Sequence, residues 1–397
     1  MPRRGAPAGR DSSRGVHDAH RKLLRLLSLA LLFEGYGRSL LVITLPYVGT
    51  DLGATPAQLS YALALVGVGS LGVLLLGPLA DRFGRRRLLL ASLTLLSVLG
   101  AGTALARSVA SLIAWQAAAR MFQEGALFAG AVIVAEEMPA ASRGAAQGIV
   151  GMINSMGAGL CAMLLATIAL WPGGWRGLCL VSLAPLGFLP FLRRTLPESR
   201  RWLDRQRGAR QPLPAVYRGR LLASAVVTFL AMSYDVAGFA FSTYVPIHQY
   251  GWSPAAASAL IVIAGGLGLP GWWLGGWLAD RRGRRTAAAV FFLGLMLAVL
   301  AFYLLGPAVL SPAFAAMVFC QGGKITVLRT WATELFPTNF RGSASGWLAA
   351  AGTLGGIAGL TLAGALEPLV GGIGPALAVI SGAGVLATAV ALRWLPE

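Results

Sequence analysis

The chain predicts an all-α membrane protein, with twelve transmembrane helices in two pseudo-symmetric six-helix bundles. Three observations carry this. Apolar residues make up 56% of the sequence and charged residues only 12%, about half the charge of a typical soluble domain. Apolar stretches near the roughly 20 residues needed to span a bilayer recur from residue 23 to the end. A short acidic–basic signature occurs twice, half a chain apart: Gly77-Pro-Leu-Ala-Asp81-Arg82-Phe-Gly84-Arg85-Arg86-Arg87 and Gly276-Trp-Leu-Ala-Asp280-Arg281-Arg282-Gly283-Arg284-Arg285.

Residues 1–22, rich in Arg, Gly, Ala and Ser, form an expected disordered basic cytoplasmic tail. The apolar stretch that follows contains Glu34 and Arg38 and is too long for a signal peptide, so it reads as a retained first helix. Spans are expected at 23–48, 57–80, 88–106, 109–135, 144–170 and 175–192. A second set follows at 220–246, 255–279, 286–306, 310–333, 342–366 and 373–394. The domains are therefore a bundle at 23–192, a cytoplasmic linker at 193–219 rich in Arg, Pro and Gln, and a bundle at 220–397.

The net charge of +18 does not point to nucleic acid. With these spans, 27 of the 33 Lys and Arg lie in the N-terminal tail, the C-terminal end or alternate loops, and only Arg107 and Arg176 lie in the opposite loops. That is the positive-inside pattern, so the basicity sets orientation, with both termini cytoplasmic. Cys161, Cys179 and Cys320 fall on separate apolar segments without metal or disulfide spacing. His17, His20 and His248 are isolated, and no nucleotide loop or His–carboxylate cluster is present. An enzyme is therefore not expected, nor a cofactor, nor a metal.

The two halves align at several landmarks. Pro46 matches Pro246 (offset 200), Asp81 matches Asp280 (199), and Glu34 falls opposite Asp235 (201). Glu136-x-x-Pro139-x-x-x-Arg143-Gly144 matches Glu334-x-x-Pro337-x-x-x-Arg341-Gly342 (198). Two parallel repeats of this kind are the architecture of transport machines.

On these motifs the chain resembles a major facilitator superfamily transporter over nearly its full length. The loop at 77–87 matches that superfamily's Gly-x-x-x-Asp-Arg-x-Gly-Arg-Arg motif fully, and the loop after the eighth span nearly so. The Glu136 and Glu334 motifs and Pro197-Glu198-Ser199-Arg-Arg201-Trp202-Leu203 are similar to the sugar-porter and organic-ion clades, with Arg200 in place of the usual proline. Phe33-Glu34-Gly35-Tyr36-Gly37 resembles the acidic first-helix motif of aromatic-acid and metabolite:proton symporters, with Gly37 where a second acid is usual. The resemblance implies that spans 1, 4, 7 and 10 line a central cavity. It also implies gating charges at the cytoplasmic mouth: Asp81, Arg82, Arg85, Glu136, Arg143, Asp280, Arg281, Arg284, Glu334 and Arg341. Arg86, Arg87 and Arg285 are expected at the lipid surface.

The chemistry is expected at mid-membrane depth, where a charge costs about 2.5–3.5 kcal/mol and must face a cavity or a partner. Seven such residues occur, all on spans 1, 4, 7 and 10: Glu34, Arg38, Arg120, Glu124, Asp235, Lys324 and Arg329. Glu34/Arg38 and Arg120/Glu124 have i,i+4 spacing and can pair on one helix face. Asp235 can pair with Lys324 or Arg38 across the seam between the bundles. Desolvation disfavours the ionised form of a carboxylate, the property a proton carrier needs, so Glu34, Asp235 and Glu124 are the candidate proton-coupling residues. Three acids against four bases leave a base unpaired, and an incoming anion would relieve it. Arg120, whose planar fork suits a carboxylate, then Lys324 and Arg38, with Tyr36 and Tyr234, are the candidate substrate-binding residues.

The expected function is a monomeric secondary transporter of the plasma (inner) membrane that works by alternating access. Its partners are the lipid bilayer, protons and a small organic anion taken up with them. An exporter of hydrophobic drugs or metabolites by proton antiport and a sugar-type porter are the alternatives. Few amides lie in the spans and the Gly-Pro motif of drug antiporters is missing between Gly151 and Gly159, which weakens both.

Overall fold

In the computed structural model, residues 9–137, 140–196, 217–337 and 341–395 are described. Their regular structure is helical throughout. Among the described residues, eleven stretches are long and apolar enough to cross a membrane, with mean hydropathy between 1.3 and 2.5. In chain order they are α1 (Leu27–Leu52), α2 (Pro56–Leu76), α3 (Arg85–Leu105), α4 (Val109–Val134), α6 (Trp175–Thr195), α7 (Arg218–His248), α8 (Pro254–Arg282), α9 (Arg284–Leu304), α10 (Pro307–Ala332), α11 (Ala344–Val370) and α12 (Ile373–Trp394). Between α4 and α6 lies α5 (Ala140–Leu165), whose apolar part, Ile149–Leu165, is shorter among the described residues. Large side chains such as Leu75, Leu170, Trp273 and Leu369 are exposed, the reverse of a soluble fold and the pattern of a lipid-facing surface.

Two boundaries differ from expectation. The first helix begins at Gly9, so residues 9–22, expected as a disordered tail, are helical. Nothing in that stretch breaks a helix, since no Pro lies between Gly9 and the apolar span. Residues 1–8 lie outside the described residues, as does most of the linker at 193–219. Arg193 and Arg194, expected in that linker, form the last turn of α6, where cations complement the helix dipole.

Glycines set the closest packing. A Cβ on Gly157 of α5 would stand 2.0 Å from the Leu32 carbonyl of α1, and one on Gly355 of α11 would stand 2.1 Å from the Phe229 carbonyl of α7. Small residues thus bring α1 against α5 and α7 against α11 at backbone distance. The packing is close at Gly157, Gly268, Gly352, Gly355, Gly356 and Gly359, ordinary at Gly265, and open at Gly159 and Gly266. Gly84 and Gly283, the glycines of the duplicated loops, share one positive-φ conformation (100° and 90°) that gives the sharp turn into the next helix.

The first and second sets of helices meet along α2 against α11 and α5 against α8. Hydrogen bonds between them gather where α1 ends and α2 begins. Pro46 has no N–H for the Val42 carbonyl four residues earlier, and Thr243 of α7 donates to that carbonyl at 2.8 Å. Thr50 lies 3.2 Å from His248 Nε2, and Ser60 donates to the Leu360 carbonyl at 2.7 Å.

Candidate functional site

The charges on α1 and α4 converge. Glu34 is fully buried. Its Oε1 accepts from Arg38 Nε at 2.9 Å, the expected i,i+4 pair. Its Oε2 accepts from the Asn154 amide of α5, which also donates to the Leu31 carbonyl at 3.1 Å. The amide reaches Glu34 because Gly35 lets α5 approach: a Cβ there would stand 1.9 Å from the Asn154 carbonyl. Arg38 turns its other edge to α4, and Nη1 lies 2.9 Å from Glu124 Oε1. Glu124 is 19% exposed and also takes a hydrogen bond from Ser70. One guanidinium thus bridges two carboxylates, while its Nη2 is buried without a hydrogen-bond partner.

This corrects the expected Arg120/Glu124 pair. Glu124 bonds Arg38 on another helix instead of Arg120 on its own. Arg38 presents several donors in a rigid fork and can satisfy two carboxylates at once, which compensates both buried anions with a single cation. Arg120 is left with one long contact, from Nη2 to the Arg38 carbonyl at 3.4 Å. Among the described residues it has no ion pair.

The second cluster lies on α7 and α10. Lys324 is 0% exposed, and its Nζ lies 2.5 Å from Asp235 Oδ2. It also donates to the Ala231 carbonyl at 3.2 Å. Gln321 donates to Asp235 Oδ1 at 2.8 Å. Of the two partners the sequence allowed Asp235, the one found is Lys324, and the pair stays within the second set of helices instead of crossing the seam. Arg329 is exposed, with its guanidinium 5.8 Å from the Trp272 ring.

The expected binding tyrosines join neither cluster's polar face. Tyr36 is fully buried and donates to the Leu178 carbonyl of α6 at 2.7 Å. Tyr234 donates to the Phe292 carbonyl of α9 at 3.0 Å, with its ring 5.8 Å from Lys324 Nζ. A buried phenol needs an acceptor, and in both cases a neighbouring helix backbone provides it. At Gly37, where the resembled motif has a second acid, a Cβ would stand 3.0 Å from the Gln123 amide.

Among the gating candidates, Arg284 unites three segment ends. It lies 3.3 Å from Asp280, and it meets Glu334 through Nε (3.1 Å) and Nη2 (2.9 Å). Arg281 lies over Trp277 and Arg82 over Phe83, and Arg85 is buried. The side chains of Asp81, Glu136, Arg143 and Arg341 lie outside the described residues. Two arginines expected at the lipid surface bond the protein instead. Arg285 Nε donates to the Leu395 carbonyl at 2.6 Å, and Arg86 donates to the Arg193 carbonyl. Both reach helix C-terminal carbonyls that have no helical partner.

Sequence reasoning noted Asn154 and Gln321 only as amides within spans, and missed Ser70. It also missed a cluster near the start of α6, where Asp51 meets Arg176 Nη1 at 2.5 Å and Trp175 Nε1 at 3.3 Å. The signal for the latter was the rarity of basic residues in those loops.

Residues 27–360 match the Major Facilitator Superfamily model, and the chain belongs to that family. It is a multi-pass membrane transporter, not an enzyme. It is 28% identical to the gallate transporter of Pseudomonas putida, over 93% of this chain and 90% of that one. It is 26% identical to the niacin transporter of Acinetobacter baylyi, over 85% of each. The xylose transporter of E. coli, solved in an inward-open conformation, superposes with a TM-score of 0.77 at 19% identity, over 95% of this chain and 97% of that one.

Proposed function

We propose that the protein carries a small organic anion, a carboxylate, together with protons by alternating access. Twelve helices in two pseudo-symmetric bundles (23–192 and 220–397), joined by a cytoplasmic linker at 193–219, would rock about the central charges. It would act as a monomer in the plasma (inner) membrane, with both termini cytoplasmic. The matched glycine approaches of α1–α5 and α7–α11 support the symmetry. Organic-acid transporters among the relatives support the cargo.

The observation that carries the reading is Arg120, a half-buried guanidinium that has no ion pair among the described residues and reaches only the backbone carbonyl of Arg38, whose own Nη2 has no acceptor among them. A substrate carboxylate would satisfy both. Of the two acids on Arg38, Glu34 has both oxygens taken by Arg38 and Asn154, whereas Glu124 is partly exposed. Glu124 is therefore the better proton carrier. A proton on Glu124 would weaken its hold on Nη1 and free one edge of the Arg38 fork beside Arg120. The substrate carboxylate would then occupy the place that Glu124 leaves, which couples anion to proton by competition for one guanidinium. Arg284, Asp280 and Glu334, with Asp81, Arg82, Arg85, Glu136, Arg143, Arg281 and Arg341, would form the charge network of the cytoplasmic mouth.

The test is uptake of labelled gallate and nicotinate into proteoliposomes. An inward proton gradient should drive accumulation, and Arg120→Ala should abolish it. Accumulation that ignores the proton gradient would overturn the coupling. A panel in which organic cations stabilise the purified protein and carboxylates do not would overturn the choice of cargo.

A further inference from the structure

A cavity of about 500 Å³ lies away from the central charges, between the start of α3 and the end of α6. It is lined by Arg86, Leu189, Pro190, Arg193 and Arg194. That volume is within the range of small-molecule sites, roughly 300–1,000 Å³. We infer that this cavity binds the phosphodiester headgroup of an anionic phospholipid.

Charge is the first reason. Three arginines, Arg86, Arg193 and Arg194, line one cavity, and no carboxylate is among the described residues of its lining. Among the described residues, neither Arg193 nor Arg194 has an ion pair. Like charges held together repel, and an anion between them removes that cost. Guanidinium forks are matched to phosphate oxygens.

Construction is the second. Arg86 is fixed by its bond to the Arg193 carbonyl, so α3 and α6 hold the cavity's two sides in register. The first turn of α3 carries basic residues and no acidic one, the arrangement the helix dipole disfavours unless an anion sits there. Position is the third. Arg193 and Arg194 lie one helical turn beyond Leu189 and Pro190, the apolar part of the same lining. A ligand in the cavity therefore has charge at its head and an apolar surface alongside, the two contacts a phospholipid makes at a membrane interface. Basic pockets between helices at this depth bind anionic lipid headgroups.

The experiment uses the full-length protein in neutral detergent, titrated with phosphatidylglycerol, phosphatidylcholine or inorganic phosphate while thermal unfolding is followed. Phosphatidylglycerol should raise the unfolding temperature, and the other two should not. Arg193→Gln with Arg194→Gln should weaken the phosphatidylglycerol effect by roughly 30-fold in lipid concentration, about 1 kcal/mol per surface cation. Arg193→Lys with Arg194→Lys should keep most of it. Both sites are exposed, so the fold survives these changes, whereas Arg86→Gln loses a helix-capping bond and is not the deciding variant. Equal stabilisation by phosphatidylcholine, or a full response in the double Gln variant, would overturn the site. Equal stabilisation by inorganic phosphate would overturn the lipid as its occupant.

Discussion

The two buried charge clusters of this protein occupy corresponding helices and end differently. On α7 and α10, one acid meets one base, an amide fills the second carboxylate oxygen, and a backbone carbonyl takes another ammonium proton. On α1 and α4, two acids share one arginine, and a second arginine has no ion pair among the described residues. Both have formally balanced charge, one against one and two against two. Only the first is balanced contact by contact. Net charge therefore says little about whether a site awaits a ligand; the distribution of partners over donors says much more. The closed cluster ties two helices together, and the open one is where the proposed exchange of a carboxylate would take place.

The comparison breaks most sharply at Lys324. Lys324→Met leaves Asp235 buried without its cation, and loss of one member of a buried pair costs about 3–5 kcal/mol. The unfolding temperature of the purified protein should fall steeply. Adding Asp235→Asn should recover most of that loss, because the double variant buries no net charge and keeps an amide oxygen for Gln321. If the double variant also keeps proton-driven uptake, Asp235 is a fastening and not a proton carrier. If the fold recovers but coupling vanishes, the two clusters share the proton work and the contrast drawn here fails.

Arg120 tests the open side. Arg120→Ala breaks no ion pair, so its unfolding temperature without ligand should stay near that of the parent. Charge-assisted hydrogen bonds contribute about 1.5–3 kcal/mol, so stabilisation by gallate or nicotinate should need roughly 10- to 150-fold more ligand. Arg120→Lys should recover part of the effect, since an ammonium keeps the charge but not the fork. A large fall in stability without ligand would mean that Arg120 is a structural cation after all.

Glu124→Gln sharpens the division of labour between the two acids. An amide cannot bind and release a proton, so gallate uptake should lose its dependence on the proton gradient while binding persists or tightens, because Arg38 Nη1 is less firmly held. Glu34→Gln should instead behave as a structural lesion. It weakens the contact with Arg38 and sets one amide against the Asn154 amide at a fully buried site. Reversal of these two outcomes would move the proton to Glu34.

Much of this was legible in the chain. The spans other than the fifth, the duplicated loops and the placing of the mid-span charges on four helices follow from apolar length and from the cost of a charge in lipid. The Glu34/Arg38 pair follows from i,i+4 spacing. What spacing cannot convey is competition from another helix. Arg120 and Glu124 have the same spacing, yet Arg38 wins the carboxylate because α1 and α4 face each other across the cluster. Asn154 reaches Glu34 only because Gly35 and Gly157 let α1 and α5 touch, a contact 120 residues apart in sequence. The hydroxyl partners of the two tyrosines were illegible for the same reason: an aromatic ring on a cavity helix suggests a ligand, but the direction of its hydroxyl depends on which backbone lies beside it.

The smallest effect is expected at Arg284. Its partners are largely solvent-exposed, Asp280 at 73% and Glu334 at 47%, and exposed pairs contribute on the order of 1 kcal/mol or less. Arg284→Gln should therefore change the unfolding temperature little, and less still at high salt, where surface charges are screened. Transport is the more sensitive readout. Arg284 links the ends of α8 and α10 to the start of α9, so its loss lets three segment ends move independently where the proposed cytoplasmic mouth would close. The rate of uptake should fall while the gallate concentration needed for half-maximal rate changes little, because the proposed binding charges on α1 and α4 are untouched. A shift in that concentration with an unchanged maximal rate would place Arg284 in communication with the anion site instead of the gate.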